Sequence, residues 1–540
     1  MLNKYIFTFV LAGIFSANLY AQKEQTAAAN TTNTETAPAA IALNLGPITP
    51  YKRATPAIKQ NNVGVYPKLK SAKSWDGVEP GKYSLKFVIK GIKHGDTVYL
   101  ADYHLDGKYR RDTAIVDKNG LANFTGTRKL QHGFYLFVFP QVRDYFEFIV
   151  DDDQDFTIST DTSYWSREYF PKMKVNGSEQ NSSYLAYQLY KAKIIQQIID
   201  NDKVSETDTL PAQKQILMAK KMELLKLKNN YDSFYIATHP NHLLSRFLYA
   251  MSDVEVPMDV QKSTDSNAAY KYYKEHYWDH IDFNEDGLVR VPLNILKQKF
   301  DFFFDKVIPP DADMCIKVAD LLLAKSENSV EVEKYIIWYL TNRFETSNIM
   351  GMDKAFVITA QKTYCSGKAW WIDSATVRHM CDNARDREPS NIGKPGVPLE
   401  LADKDGIWHN TGEIKAPYTI LIFWDPTCGH CREVMPKLAK IYNDNKAKGW
   451  KVVALSPSDK KKEWLEYQKE HPEMSEFLHL LRGEVRSEAW AENLRKYYVI
   501  ASPTIYILNE NKVIEANRID VDKIEDFLNH LTKLKGKKTN

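Results

Sequence analysis

The stretch Leu421–Pro436, LIFWDPTCGHCREVMP, restricts the fold of this chain more than any other. An apolar run, Tyr418–Phe423, is long enough for a buried strand, and Lys437–Lys446 further on has good helix formers and no Gly. Cys428 and Cys431 lie between the two, so Cys428 is predicted where a strand ends and a helix begins. Unpaired N–H groups and the positive end of the helix dipole favour an anion there. A thiol so placed loses its proton more readily, and the thiolate is the reactive form. A second thiol one turn along can resolve a mixed disulfide made by the first.

A second signature follows at Val499-Ile500-Ala501-Ser502-Pro503-Thr504, directly before an apolar run, Ile505–Leu508. Phe423-Trp424, Cys428-Gly429-His430-Cys431, Pro436 and this Ser502-Pro503 step together resemble a thioredoxin active site. The resemblance implies an α/β thioredoxin fold with a cis peptide before Pro503, facing the cysteine pair. It also implies that the Ser502 backbone offers hydrogen bonds to an extended substrate. The layout of the last 150 or so residues is similar to the TlpA-like class of exported thioredoxins.

The N-terminus suggests where such chemistry takes place. Lys4, the apolar run Tyr5–Phe15 and Ala21 read as a secretory signal peptide over residues 1–21. The run is shorter than the ~20 residues needed to span a bilayer. No other stretch reads as a membrane span. The expectation is an exported, periplasmic or envelope protein working where substrate disulfides exist. A net charge of +3 with both signs scattered gives no indication of nucleic acid binding.

Residues 22–78 are rich in Ala, Thr, Asn and Pro and read as a low-complexity linker. Over 79–176 the pattern has period two, as in Tyr83, Leu85, Phe87 and Ile89, with turns at Asp106-Gly107 and Asn119-Gly120. It predicts a β-sandwich. From 177 to 386 the period is helical, including expected helices at Leu293–Val307, Ala312–Ala324 and Ser329–Phe344. Both regions resemble uncharacterised modules found ahead of exported thioredoxins, notably in RDTAIVDKNGLANFTG and HYWDHIDFNEDGLVRVPLNILKQKFDFFF. Asp151–Asp155 and Asp282–Gly287 carry carboxylates at calcium-loop spacing but lack the closing Glu, so both are read as turns. Arg385–Gly396 reads as a polar linker into a thioredoxin-like domain, residues 387–540. The whole is a multidomain chain: β-sandwich, α-helical module, thioredoxin fold.

Cys428 is the expected nucleophile and Cys431 the resolving thiol. A zinc site would need a second Cys/His pair at short spacing, so no metal and no dissociable cofactor are assigned. Trp424, Pro426 and Thr427 are expected to shape a groove beside Cys428, with core packing the other reading for Trp424. Between the thiols, Gly429 and His430 form the dipeptide used by protein disulfide isomerases. A cationic His430 would lower the Cys428 pKa, the other reading being a solvent-facing imidazole. Ile422 stands where thioredoxins carry a buried Asp, and Glu433 is one place short of the Glu of TlpA-like reductases. Cys315, Cys365 and Cys381 leave at least one thiol unpaired, a Cys365–Cys381 bridge being one arrangement. The expected function is thiol–disulfide exchange with protein thiols and disulfides, the upstream redox partner unassigned. The alternatives are a thiol peroxidase and an envelope binding protein with an accessory thioredoxin domain.

Overall fold

The structure is a computed structural model that describes residues 80–139, 144–161, 169–207, 210–482 and 489–538. The expected signal peptide, residues 1–21, and the expected low-complexity linker, residues 22–78, lie outside these residues. The chain divides into two compact units, residues 1–295 and 296–540. The cut falls inside the helical stretch, so each unit joins helices to a sheet structure.

Among the described residues of the first unit, eight strands form two four-stranded sheets. They are β1 (Pro80–Lys90), β2 (Thr97–His104), β3 (Gly107–Ile115), β4 (Leu121–Arg128), β5 (Gly133–Phe139), β6 (Asp144–Val150), β7 (Asp155–Asp161) and β8 (Lys174–Asn176). The sheet orders are β4-β1-β7-β8 and β3-β2-β5-β6. Alternate residues point inward, as the period of two demands. Leu85, Phe87, Ile89, Phe124, Phe137, Phe146 and Phe148 meet in one buried core between the sheets. Ladder pairing continues through polar residues such as Arg110 and Thr125.

The helices Glu179–Thr207 and Pro211–Thr238 follow, then Leu243–Met251. Asn181 ties the first to the sandwich, accepting from the Ile149 N–H at 2.7 Å and donating to the Ile149 carbonyl at 2.7 Å. The acidic Asp282–Gly287 segment ends in a short 3-10 turn, Asp286–Arg290. Its carboxylates are engaged: buried Arg246 pairs with Asp282 and, at 3.1 Å, with Glu285.

At the boundary between the two units in the sequence, the helix expected from Leu293 begins at Ile295 instead. Leu293 and Asn294 have φ of 77° and 42°, left-handed values that a right-handed helix cannot include. The helices Ala312–Lys325, Val330–Glu345, Met352–Thr363 and Ser374–Arg387 follow. Cys365 and Cys381 form a disulfide, and Cys315 is a buried free thiol.

The final domain is a seven-stranded mixed sheet. Its strands are β9 (Glu400–Ala402), β10 (Trp408–Asn410), β11 (Tyr418–Phe423), β12 (Lys451–Ser456), β13 (Leu478–Leu481), β14 (Thr504–Asn509) and β15 (Ile514–Asn517), in the order β10-β9-β13-β12-β11-β14-β15. Every residue of β11 is buried, which explains its unbroken apolar run. Helices cover the sheet: Gly429–Asp444, Lys461–Glu470 and Ile524–Lys538.

The Arg385–Gly396 stretch, read as a linker from its composition, is a fixed junction. Gly393 N–H donates to the Ile514 carbonyl at 2.8 Å, and Gly396 N–H to that of Lys512 at 2.7 Å. Buried Asp353, on a helix before the junction, pairs with Arg387 at 3.2 Å and with Arg518, and accepts from Asn517 at 3.2 Å. Charges buried this way must be paired, and this pairing joins the helices to the edge of the sheet.

Candidate active site

β11 ends at Phe423, and the chain crosses a tight Asp425–Thr427 turn into the helix Gly429–Asp444. Asp425 makes the turn, its carboxylate accepting from the Thr427 N–H at 2.7 Å and hydroxyl at 2.6 Å. Cys428 is the residue immediately before the helix, with extended φ and ψ of −78° and 120°. The N–H groups of the first turn have no partner within the helix.

Those donors act on the Cys428 sulfur. The Cys431 N–H lowers the thiol pKa most; partial burial works against it, and the Cys431 thiol and His430 N–H add to the lowering. Cys431 sits one turn deeper and is fully buried. Burial pushes its thiol up to about 12, only partly countered by the Asp425 N–H, which lies 3.5 Å from its sulfur. The two thiols are therefore unequal: one is easily ionised and reachable, the other protonated and covered. Neither sulfur is in a disulfide.

The Ser502–Pro503 peptide is cis and enters β14. Its Ser502 carbonyl lies 3.5 Å from the Cys428 sulfur. The preceding segment is held from behind, where the Tyr498 hydroxyl donates to Asn383 at 2.6 Å. Ile500 on the same segment is 72% exposed, an apolar side chain near the cis-proline step and open to solvent.

The other expected residues divide. Thr427 and Gly429 are exposed, and a side chain at Gly429 would meet nothing within 4 Å, so the space above the motif is open. Trp424 is fully buried, its ring 5.1 Å from that of Tyr467, and Pro426 is also buried. Trp424 directly follows β11 and packs in the core, and Pro426 lies in the turn after it. The His430 imidazole faces Glu433 at 3.6 Å, and both side chains are largely exposed. His430 thus reaches Cys428 through its backbone N–H. Ile422, where a buried acid was noted as missing, packs in the core with Trp424 and Val434.

Asp425 and Lys460 were missed. Lys460 lies 3.2 Å from the Asp425 carboxylate and 2.5 Å from the Thr427 hydroxyl. Partial burial raises the Asp425 carboxyl, but Thr427 and Lys460 outweigh it and hold the group below the usual carboxylate range. The Asp425 charge in turn raises the pKa of both active-site thiols. The Asp-Pro-Thr turn was visible as a signal for Asp425. Lys460 is on a different element, and nothing in its neighbourhood of sequence points to the site.

Residues 417–514 match the family model described as Thioredoxin-like. Residues 83–184 and 217–386 match two models that are each described as a domain of unknown function, DUF4369 and DUF5106. A domain of a possible thiol-disulfide isomerase from Cytophaga hutchinsonii is 32% identical, covering 28% of this chain and 100% of that one, with a TM-score of 0.25. A thioredoxin-like protein from Bacteroides caccae is 17% identical over 51% of this chain and 97% of its own, with a TM-score of 0.41. The thioredoxin domain of a thiol-disulfide oxidoreductase from Bacteroides vulgatus is 21% identical over 26% of this chain and 96% of its own, with a TM-score of 0.24. No curated protein matches the chain. The protein is thus a multidomain one that ends in a thioredoxin-like domain. That domain follows two domains of unknown function.

Proposed function

We propose that this protein is an exported, TlpA-like thiol–disulfide oxidoreductase that exchanges disulfides with protein substrates through Cys428 and Cys431. The observation that carries this reading is the inequality of the two thiols at one helix start. Cys428 is held by first-turn N–H groups, with the carbonyl before the cis-proline 3.5 Å away, and Cys431 is protonated beneath it.

In the reducing direction, the Cys428 thiolate attacks one sulfur of a client disulfide. That S–S bond breaks, the departing sulfur takes a proton, and a mixed disulfide joins Cys428 to the client. Cys431 then gives up its proton and attacks the Cys428 sulfur. The client leaves as a second thiol, and Cys428–Cys431 becomes a disulfide; the client gains two electrons and the pair loses two. Oxidation of a client dithiol is the same path reversed. The client backbone would lie extended along Ser502–Pro503, with an apolar side chain against Ile500.

Export rests on the leader read in residues 1–21. No helix among the described residues is long and apolar enough to cross a membrane. The β-sandwich and helical regions are assigned to holding or selecting clients.

The test is a Cys431→Ser variant expressed in an envelope-containing cell. Its Cys428 should accumulate mixed disulfides with a discrete set of proteins that collapse on reduction. Purified protein should also reduce a model protein disulfide when supplied with electrons. Absence of both, with Cys428 intact and reduced, would remove the proposed activity.

A further inference from the structure

The first unit holds a second cluster of chemically able side chains. Glu179 opens the helix Glu179–Thr207. His239 closes the helix Pro211–Thr238, its N–H donating to the Tyr235 carbonyl at 2.9 Å, and His242 precedes the helix Leu243–Met251. Three helix ends thus bring one carboxylate and two imidazoles together, with ligand-capable atoms all within 4.8 Å of one another. His242 Nε2 is 2.6 Å from one Glu179 oxygen, and His239 Nε2 is 3.8 Å from the other.

The far side of each ring is also held. His242 Nδ1 lies 3.0 Å from the Tyr235 hydroxyl and His239 Nδ1 lies 2.9 Å from that of Thr238. The His239 ring also stacks on Tyr235, centroids 4.5 Å apart. With both Nδ1 atoms engaged, both Nε2 atoms are presented to Glu179. Fixing the outer nitrogen so that the inner one faces a common point is how proteins orient metal-binding histidines. Ser183, one turn along from Glu179, donates to its carboxylate at 2.8 Å and so steadies the third ligand.

We propose that Glu179, His239 and His242 form a binding site for a divalent transition-metal ion, with zinc the best fit. Two imidazoles and one carboxylate are a zinc ligand set that leaves a fourth position for water. Calcium and magnesium want mostly oxygen donors, which this site lacks. Glu179 is exposed and both histidines are half-buried, so an ion has a route in and a solvent-facing side. A cation would replace the 2.6 Å His242–Glu179 contact with a bond from each group. A filled site would clamp the starts and ends of three helices at one point.

The test uses the full chain, freed of metal with a chelator and with Cys428–Cys431 oxidised so that those thiols cannot ligate. Zinc is titrated in competition with a chromophoric indicator. The expected result is one zinc per chain with a Kd below about 1 µM, released by acid and not displaced by millimolar calcium. Glu179→Gln and His242→Asn should each weaken binding by at least about tenfold, and Tyr235→Phe by less. Cobalt in place of zinc should give the visible absorption of a four- or five-coordinate ion in the parent chain and lose it in Glu179→Gln. Glu179 is exposed, so this variant should keep the metal-free melting temperature and can carry the test if a histidine variant misfolds. No binding tighter than about 100 µM, or unchanged affinity in Glu179→Gln, would reduce the cluster to an ion pair.

Discussion

The second unit carries two pairs of cysteines, and they occupy opposite kinds of place. Cys365 lies just past the helix Met352–Thr363, its N–H donating back to the Ala360 carbonyl at 3.0 Å, and Cys381 is within the helix Ser374–Arg387. They bridge two helices, with Cα atoms 5.6 Å apart. Cys428 and Cys431 share one helix start, where free N–H groups face the first sulfur. A helix end rich in carbonyls gives a thiolate nothing, whereas a helix start stabilises it. Spacing alone does not separate a structural bridge from an exchanging pair; position relative to the helix ends does.

The largest expected effect comes from breaking the exchanging pair. Cys428→Ser should lower disulfide turnover by at least about a thousandfold, because no other thiol is placed to attack. Cys431→Ser should keep a single attack step but lose release. Quenched-flow detection of the mixed disulfide separates these outcomes. Next comes the bridge. Replacing both Cys365 and Cys381 by Ser should cost about 3 kcal/mol, as expected for opening a loop of this length. Denaturant unfolding reads that loss, and the alkylation rate of Cys428 should stay within about twofold of the parent. If the rate changes more than the stability, the division of labour drawn here fails.

A pH series sharpens the contrast further. Cys428 has a lowered pKa when folded, so the reduced protein gains stability relative to the oxidised one as pH rises from that pKa toward the ordinary thiol value. Cys431 does the reverse. It is raised to about 12 by burial, so the unfolded chain releases its proton first and stability falls from the ordinary thiol value toward about 12. The difference in stability between reduced and oxidised forms should therefore peak near the ordinary thiol pKa of about 8.5. The Cys365–Cys381 bridge is closed and adds no slope in either form. A difference that falls steadily through the neutral range would contradict the thiol assignment.

Much of this was legible before any coordinates. Strand, Cys-x-x-Cys, helix and the Ser502–Pro503 step are local patterns, and local patterns survive folding. The alternation in Leu85–Ile89 announced a half-buried strand for the same reason. What was not legible depends on distant partners. Arg385–Gly396 is polar, yet it is fixed because Ile514, Lys512 and Asn517 come back to meet it. The helix start at Ile295 turns on two left-handed residues, Leu293 and Asn294, neither a glycine. Trp424 reads equally well as a groove wall or a core residue until the path of β11 is known. Glu179 lies some sixty residues before His239 and His242 in the chain, and only the packing of three helices brings it to them.

The smallest effect is also the most specific to this site. The Asp425 carboxylate raises the Cys428 pKa, and Lys460 holds that carboxylate. Asp425→Asn removes the charge but keeps an oxygen for the Thr427 N–H, so the turn should persist. Cys428 should then alkylate about two- to fivefold faster at a pH below its pKa. Lys460→Ala should do the opposite, slowing alkylation by about twofold, because the carboxylate is left without its counter-charge. The double variant decides whether Lys460 acts through Asp425. If it does, removing Lys460 from the Asp425→Asn protein changes the rate no further, and the coupling in the cycle equals the whole Lys460 effect. If removing Lys460 still slows the reaction when Asp425 is neutral, its own cation reaches the sulfur, and the thiol is set by a second charge as well as by its helix.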